Sequence, residues 1–457
     1  MNALSIAFFP IPFLLAALSA IGIVAFWLVA FRRSSFGIGA LVSTFLFQAI
    51  FPGFAGINLG IRVDVLDFIS VLIGFVTLLR WVAVPAARHG LLAWYVFVIV
   101  VLVSLVSGLI TLGTAGGVAA RPYFYALVAG SYVLTFKGDV RLVRQLLAGL
   151  AYGAVALMAL VVARWMITYL PIAALLPPEG RFSSVDASKL RVIPSAEAML
   201  MAQVVVVGIF YPAIVPALRW LKALTPILFI TVVILQHRSV WLALTSAILT
   251  RFGLPQAGRK ATAQIAVMAL VLASIAGPLL LSGKFVGATA DIGKAASRAA
   301  ALADTVNFRF DTWRFTINKW ASSGPVAVLI GLPMGTSMDR VLRSDSGNYL
   351  KVSVSAHNFF VQTIFNTGLV GLSAVLAVYA YICINLFRGL RHPEYGELSG
   401  VTLLLTVGQL VYYVAYGVDF IQSLILGVAA ALALTISASQ QASRAASSFG
   451  IRPLALR

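Results

Sequence analysis

The stretch HNFFVQTIFNTGLVGLSAVLAVYAYICINLF, residues 357–387, decides the fold. Beyond its opening histidine it runs to Arg388 without a Lys, Arg, Asp or Glu. A hydrocarbon core ~30 Å thick needs about 20 apolar residues per helix, so this stretch spans it with residues to spare. The same ruler laid along the chain finds further apolar spans near 3–31, 35–51, 63–81, 90–113, 122–136, 145–171, 193–217, 222–236, 239–251, 261–282, 398–413 and 416–437. No span alternates polar and apolar residues, which argues against a β-barrel. The expectation is an all-α polytopic membrane protein with about 12 transmembrane helices. Residues 1–437 form one integral-membrane domain and 438–457 a cytoplasmic tail. The opening segment lacks a basic leader and is read as a retained helix.

Composition agrees. The 457 residues are 61% hydrophobic and 10% charged, against about 25% charged in ordinary soluble domains, and mean hydropathy is +1.00. One cysteine, Cys383, excludes an intramolecular disulfide and a cysteine metal cage. The net charge of +19 is explained by where it falls. Alternate loops hold Arg32, Arg33, Arg80, Arg88, Lys137, Arg141, Arg144, Arg219, Lys222, Arg251, Arg259, Lys260, Arg388, Arg391 and the tail arginines, 17 of the 33 basic residues. The opposite short loops hold six: Arg62, Arg121, Arg181, Lys189, Arg191 and Arg238. The positive-inside rule places the first set in the cytoplasm. The charge is therefore a topology signal, and no nucleic-acid partner is expected.

Two outer segments are longer, residues 172–192 and 283–356. The second carries nine Lys/Arg against five Asp/Glu, and a loop of that length is usually functional or disordered. Within it Asn307–Trp320 has the pattern of an amphipathic interfacial helix. The chain lacks a phosphate loop, an HExxH pair and an Asp-x-Asp pair. Few of its 14 carboxylates lie in spans, whereas ion-coupled transporters place acidic groups near the midplane. The candidate groups are instead basic and outward, which points to an anionic ligand held without a metal.

Arg238, in His237-Arg238-Ser239-Val240-Trp241, is either a snorkelling or capping residue of a tight hairpin or a two-pronged phosphate clamp. Arg309 and Arg314 flank Asp311 and Trp313. Five residues apart they cannot share one helical stripe, so at least one is structural. Arg181 and Arg191 are weaker candidates in the other outer loop. His357, followed by Asn358, is the one histidine at an outer boundary without a basic neighbour, and an imidazole near pKa 6.5 suits a general base.

These residues fall in three blocks. The first is His237 to Trp241. The second is Arg309 and Trp313, followed by Pro325, Gly331 and Gly335. The third is His357-Asn358 followed by Gly368-Leu369-Val370-Gly371. In that order, with the large outer loop before the histidine, they resemble the O-antigen ligase and O-antigen polymerase superfamily of bacterial inner-membrane glycosyltransferases. The resemblance covers residues 170–390. It implies transfer of a glycan from an undecaprenyl-diphosphate carrier to an acceptor sugar hydroxyl at the periplasmic face, with inversion and without cofactor or metal. It makes His357, Arg238 and Arg309 the catalytic set, with Arg314, Arg191, Arg181, His237 and Asn358 toward substrate. Arg309 matches better than Arg314 because tryptophan follows it by four. The His-Arg-Ser-x-Trp block favours a polymerase of O-antigen or exopolysaccharide repeats, with a chain-length regulator protein as an expected partner. The alternative is a ligase acting on a lipid A-core acceptor in lipopolysaccharide synthesis, and the rival from another class is a lipid or polysaccharide transporter.

Overall fold

The structure is a computed structural model that describes residues 10–50, 56–58, 62–88, 90–169, 191–214, 219–254, 302–338, 340–343, 349–352 and 356–448. In chain order the elements are α1 (Pro10–Arg32), α2 (Ser34–Ile50), β1 (Gly56–Asn58), β2 (Arg62–Asp64), α3 (Val65–Ala83), α4 (Leu92–Leu112), α5 (Thr114–Leu134) and α6 (Val140–Tyr169). They continue with α7 (Ser195–Phe210), α8 (Leu221–Ile234), α9 (Arg238–Gly253), α10 (Leu302–Ala321), α11 (Pro325–Ile330), β3 (Arg340–Arg343), β4 (Tyr349–Val352), α12 (Phe359–Gly389), α13 (Gly396–Ala415) and α14 (Phe420–Ser448). Among the described residues the regular structure is helical apart from two antiparallel hairpins, β1–β2 and β3–β4. Among the described residues six helices are long and apolar enough to cross a membrane: α3, α4, α6, α12, α13 and α14. The pair α1 and α2 is also apolar enough when taken together and is bent by 119° at Arg33, the form of a broken span or a re-entrant loop. Shorter apolar helices, α7 and α8, pack among them. The expected span at 261–282 lies outside the described residues.

Hydrogen bonds between helix termini define two ends of the bundle. At one end Tyr132 Oη donates to Ala30 O at 2.9 Å, Arg80 Nε to Thr135 Oγ1 at 2.9 Å and Gly138 N to Thr435 Oγ1 at 3.0 Å. Lys137 reaches the carbonyl of Arg88 at the same end. At the other end Arg164 donates from Nη2 to Ala49 O at 3.1 Å and from Nη1 to Val192 O at 2.9 Å. Here too Ser195 Oγ meets Tyr412 Oη at 3.2 Å, and Arg121 contacts the carbonyl of Arg62. The helices that link these groups run from one end to the other. Among the described residues the basic loops around Arg32 and Arg33, Arg80 and Arg88, and Lys137 thus lie at the first end, and Arg62, Arg121, Arg191, Arg238 and His357 at the second.

Several boundaries differ from the sequence reading: α6 begins at Val140 and not at 145, α7 ends at Phe210 and not at 217, and α14 runs on to Ser448 past the expected end at 437. A span starting at 122 was expected, with Arg121 in the loop before it, yet α5 begins at Thr114. Arg121 is accommodated because Asp67 lies 3.4 Å from its Nε and Asp64 3.9 Å from its Nη1. Asp64 also holds Arg62, two residues before it in β2, at 2.8 Å.

The glycines of the second and third blocks have a structural reason. Gly368 interrupts α12 with φ 63 and ψ −166, a region that L side chains avoid. A Cβ there would collide with the carbonyl of Leu329. The short helix α11 and the turn after it press into this kink: Leu332 N donates to Phe365 O at 2.8 Å, and Ser104 Oγ to Leu332 O at 3.0 Å. Replacing Gly368 by Ala is expected to cost more than the ~1–3 kcal/mol of the backbone conformation alone, because the collision adds to it. A melt of the detergent-solubilised variant should show a clear loss, and an unchanged midpoint would contradict this packing.

Candidate functional site

The site grows from the entrance to α12. Asn358 caps that helix: its Oδ1 accepts from Val361 N at 2.9 Å, the bond expected of an N-cap asparagine. Its Nδ2 donates to Val414 O at 2.9 Å, which ties the entrance to the last turn of α13. One residue before His357, the carbonyl of Ala356 accepts from Trp313 Nε1 at 2.7 Å. His357 is therefore flanked by two anchored neighbours, and its own backbone takes the uncommon φ of 44°. The side chain stays exposed at the surface of this end.

Helix α10 supplies the cation. Thr312, Thr316 and Trp320 are buried, and Arg309 and Trp313 are half-buried. Their spacing of three and four residues puts all five on one face, the face packed on α12. Arg314 lies off that stripe and is exposed. The two arginines left open by the sequence are thus separated: Arg309 turns toward the histidine and Arg314 away. Partial enclosure, and then the nearby Arg309 guanidinium, hold the His357 imidazole below its usual pKa. Both effects penalise its protonated form, so it is neutral near pH 7 and able to accept a proton.

Arg238 opens α9, with His237 as N-cap and Gln236 at φ 57 completing the reversal from α8. Trp241 Nε1 donates to Val232 O at 3.1 Å and staples the first turn of α9 to the end of α8. His237 Nε2 lies 3.0 Å from Ile193 O, so that nitrogen carries the hydrogen, since a carbonyl can only accept. Arg191 Nη2 donates to Gln236 O at 3.0 Å. Arg238 itself is half-buried and makes no hydrogen bond or ion pair among the described residues. A cation at a helix N-terminus opposes the positive end of the helix dipole, so this placement is stabilised by an anion.

The two halves meet through α13. Asn358 reaches Val414 and Ser195 reaches Tyr412, while Ile193, two residues before Ser195, holds His237. Arg238, His357 and Arg309 therefore share one end of the bundle. Of the other expected substrate contacts, His237, Arg191 and Asn358 use polar atoms to hold the backbone of the site. Arg181 lies outside the described residues. Sequence reasoning missed Arg164, the lone charge inside the span 145–171, which ties α6 to α2 and to the segment before α7. That isolation in an apolar run was the available signal.

The fold and this end of it define a multi-pass helical membrane protein. Neither a protein-family model nor a curated protein sequence matches the chain.

Proposed function

We propose that the protein is a bacterial inner-membrane glycosyltransferase. It moves a glycan from an undecaprenyl-diphosphate carrier to an acceptor sugar hydroxyl at the periplasmic face and in doing so polymerises O-antigen or exopolysaccharide repeat units. The observation that carries this reading is the juxtaposition of His357 with Arg309 at the end of the bundle that also holds Arg238. In the proposed reaction His357 takes the proton of the acceptor hydroxyl as its oxygen attacks the anomeric carbon of the donor. The glycosidic bond to phosphate breaks with inversion, and the lipid diphosphate departs with the bonding electrons. Arg238 and Arg309 face the charge that develops on that leaving group, where fixed cations act most strongly in a water-poor site. The resemblance in three ordered blocks supports the substrate class.

In this reading the end bearing His357 is periplasmic and the arginine-rich end cytoplasmic, with the segment 283–356 as the large periplasmic loop and about 12 spans in all. Cysteines placed in a Cys383→Ala background at the exposed positions Asp311 and Glu394 test it. Impermeant maleimide should label position 311 from the outside of intact cells and position 394 only after permeabilisation. The reverse pattern would invert the topology and remove the reading.

The choice of acceptor is tested with purified protein and a defined lipid-linked repeat, supplied with and without lipid A-core. A ladder of longer glycans without core is expected. Transfer seen only when core is present would make the protein a ligase instead.

A further inference from the structure

A second basic site lies at the opposite end of the bundle. The last turns of α12 and α14 leave an open cavity of about 460 Å³. Arg388, Arg391 and His392 line it from the α12 side, and Ser439 and Gln440 from α14. No carboxylate is among its lining residues. Both arginines are exposed and make no hydrogen bond or ion pair among the described residues. His392 Nδ1 accepts from Glu394 N at 3.2 Å, so the neutral ring carries its hydrogen on Nε2, which faces Ser439 Oγ at 3.4 Å. Beside Phe387, the wall is therefore built of groups able to donate: two guanidinium forks, an imidazole N–H, the hydroxyls of Ser439 and Ser443 and a side-chain amide. Such a set suits a phosphate group.

The surroundings select the source of that phosphate. On the turn of α12 just before the arginines, Ile384 is 50% and Phe387 55% exposed. In a membrane-spanning helix these side chains face acyl chains, and the arginines one turn on sit at headgroup level. We infer that this cavity holds the phosphate of an anionic phospholipid, with its acyl chains against Ile384 and Phe387. Basic pockets between helices on the cytoplasmic side have this recognition chemistry. The inference concerns a site at the other end of the bundle from His357 and stands apart from the proposed transfer reaction.

The test is native mass spectrometry of the purified protein titrated with phosphatidylglycerol, phosphatidylcholine or inorganic phosphate. The expected result is retention of phosphatidylglycerol that weakens about 30-fold in the Arg388→Gln/Arg391→Gln variant, from two lost headgroup contacts. Phosphatidylcholine should bind weakly and equally to both proteins. Should the double variant fail to fold, Ser439→Ala with Gln440→Ala serves instead, with a loss of several-fold expected. Equal retention of phosphatidylglycerol by a folded variant would overturn the site. Arginine-dependent binding of inorganic phosphate that displaces the lipid at millimolar concentration would overturn the lipid as its occupant. The readout is lipid retention and not transfer, so its failure leaves the reaction at the other end untouched.

Discussion

Replacing His357 with alanine is expected to lower transfer by about 10²–10⁴-fold, the usual cost of losing a positioned general base, while the protein still folds and holds its donor. The side chain is exposed, and the entrance to α12 is anchored by its neighbours, from Asn358 Nδ2 to Val414 O and from Trp313 Nε1 to Ala356 O, bonds that do not involve the imidazole. The pH profile carries the more specific expectation. Enclosure and Arg309 depress the imidazole's pKa, so the neutral base persists to lower pH than a free histidine would allow. Wild-type turnover should therefore rise through an apparent pKa below the ordinary histidine value and level off at higher pH. That limb should vanish in the variant. Replacing Arg309 with glutamine removes the smaller of the two causes and should move the limb upward toward the ordinary histidine value. Donor binding is followed separately by retention of the lipid-linked substrate. Weakened donor binding with an unchanged pH profile would make His357 a diphosphate ligand and not a base.

The arginines carry the second large effect. Arg238→Lys and Arg309→Lys are each expected to lose about 10²–10³ in rate, as when a charged or hydrogen-bonding contact made in the transition state is removed. Charge is kept in both variants, but a point ammonium cannot present two parallel N–H groups to a diphosphate. Arg314→Lys should be nearly silent, because Arg314 points away from the stripe that packs on α12. Turnover of the three purified variants under one saturating donor concentration separates these outcomes. An intolerant Arg314 beside a dispensable Arg309 would shift the functional position by five residues and contradict the placement of α10.

Much of this arrangement was legible from hydropathy, and the reasons are specific. The runs 357–387 and 90–113 correspond within two residues to α12 and α4, because a span in lipid must be both apolar and internally hydrogen-bonded. The amphipathic stretch Asn307–Trp320 lies within α10, since its tryptophans recur at helical spacing. Other features leave no periodic trace. The kink at Gly368 depends on α11, distant in sequence, pressing against it through Leu329, and a lone glycine in an apolar run announces neither. The hairpins β1–β2 and β3–β4 are three and four residues per strand, too short for alternation to register. The site was legible as residue types but not as roles. His237 and Arg191 look like ligands in sequence, yet their bonds run to the carbonyls of Ile193 and Gln236. The tryptophan four residues on favoured Arg309 over Arg314, but only the helix shows Arg309 half-buried on the packed face and Arg314 exposed.

The measurement closest to the central claim is a direct transfer assay with purified protein. Wild type and His357→Ala are each given undecaprenyl-diphosphate-linked repeat at pH 7, and both glycan length and released undecaprenyl diphosphate are followed. The account predicts longer glycan and free lipid diphosphate formed together by the wild type, and neither at a comparable rate by the folded variant. Equal turnover by the two proteins, or no turnover by a folded wild type given both donor and acceptor, would contradict it.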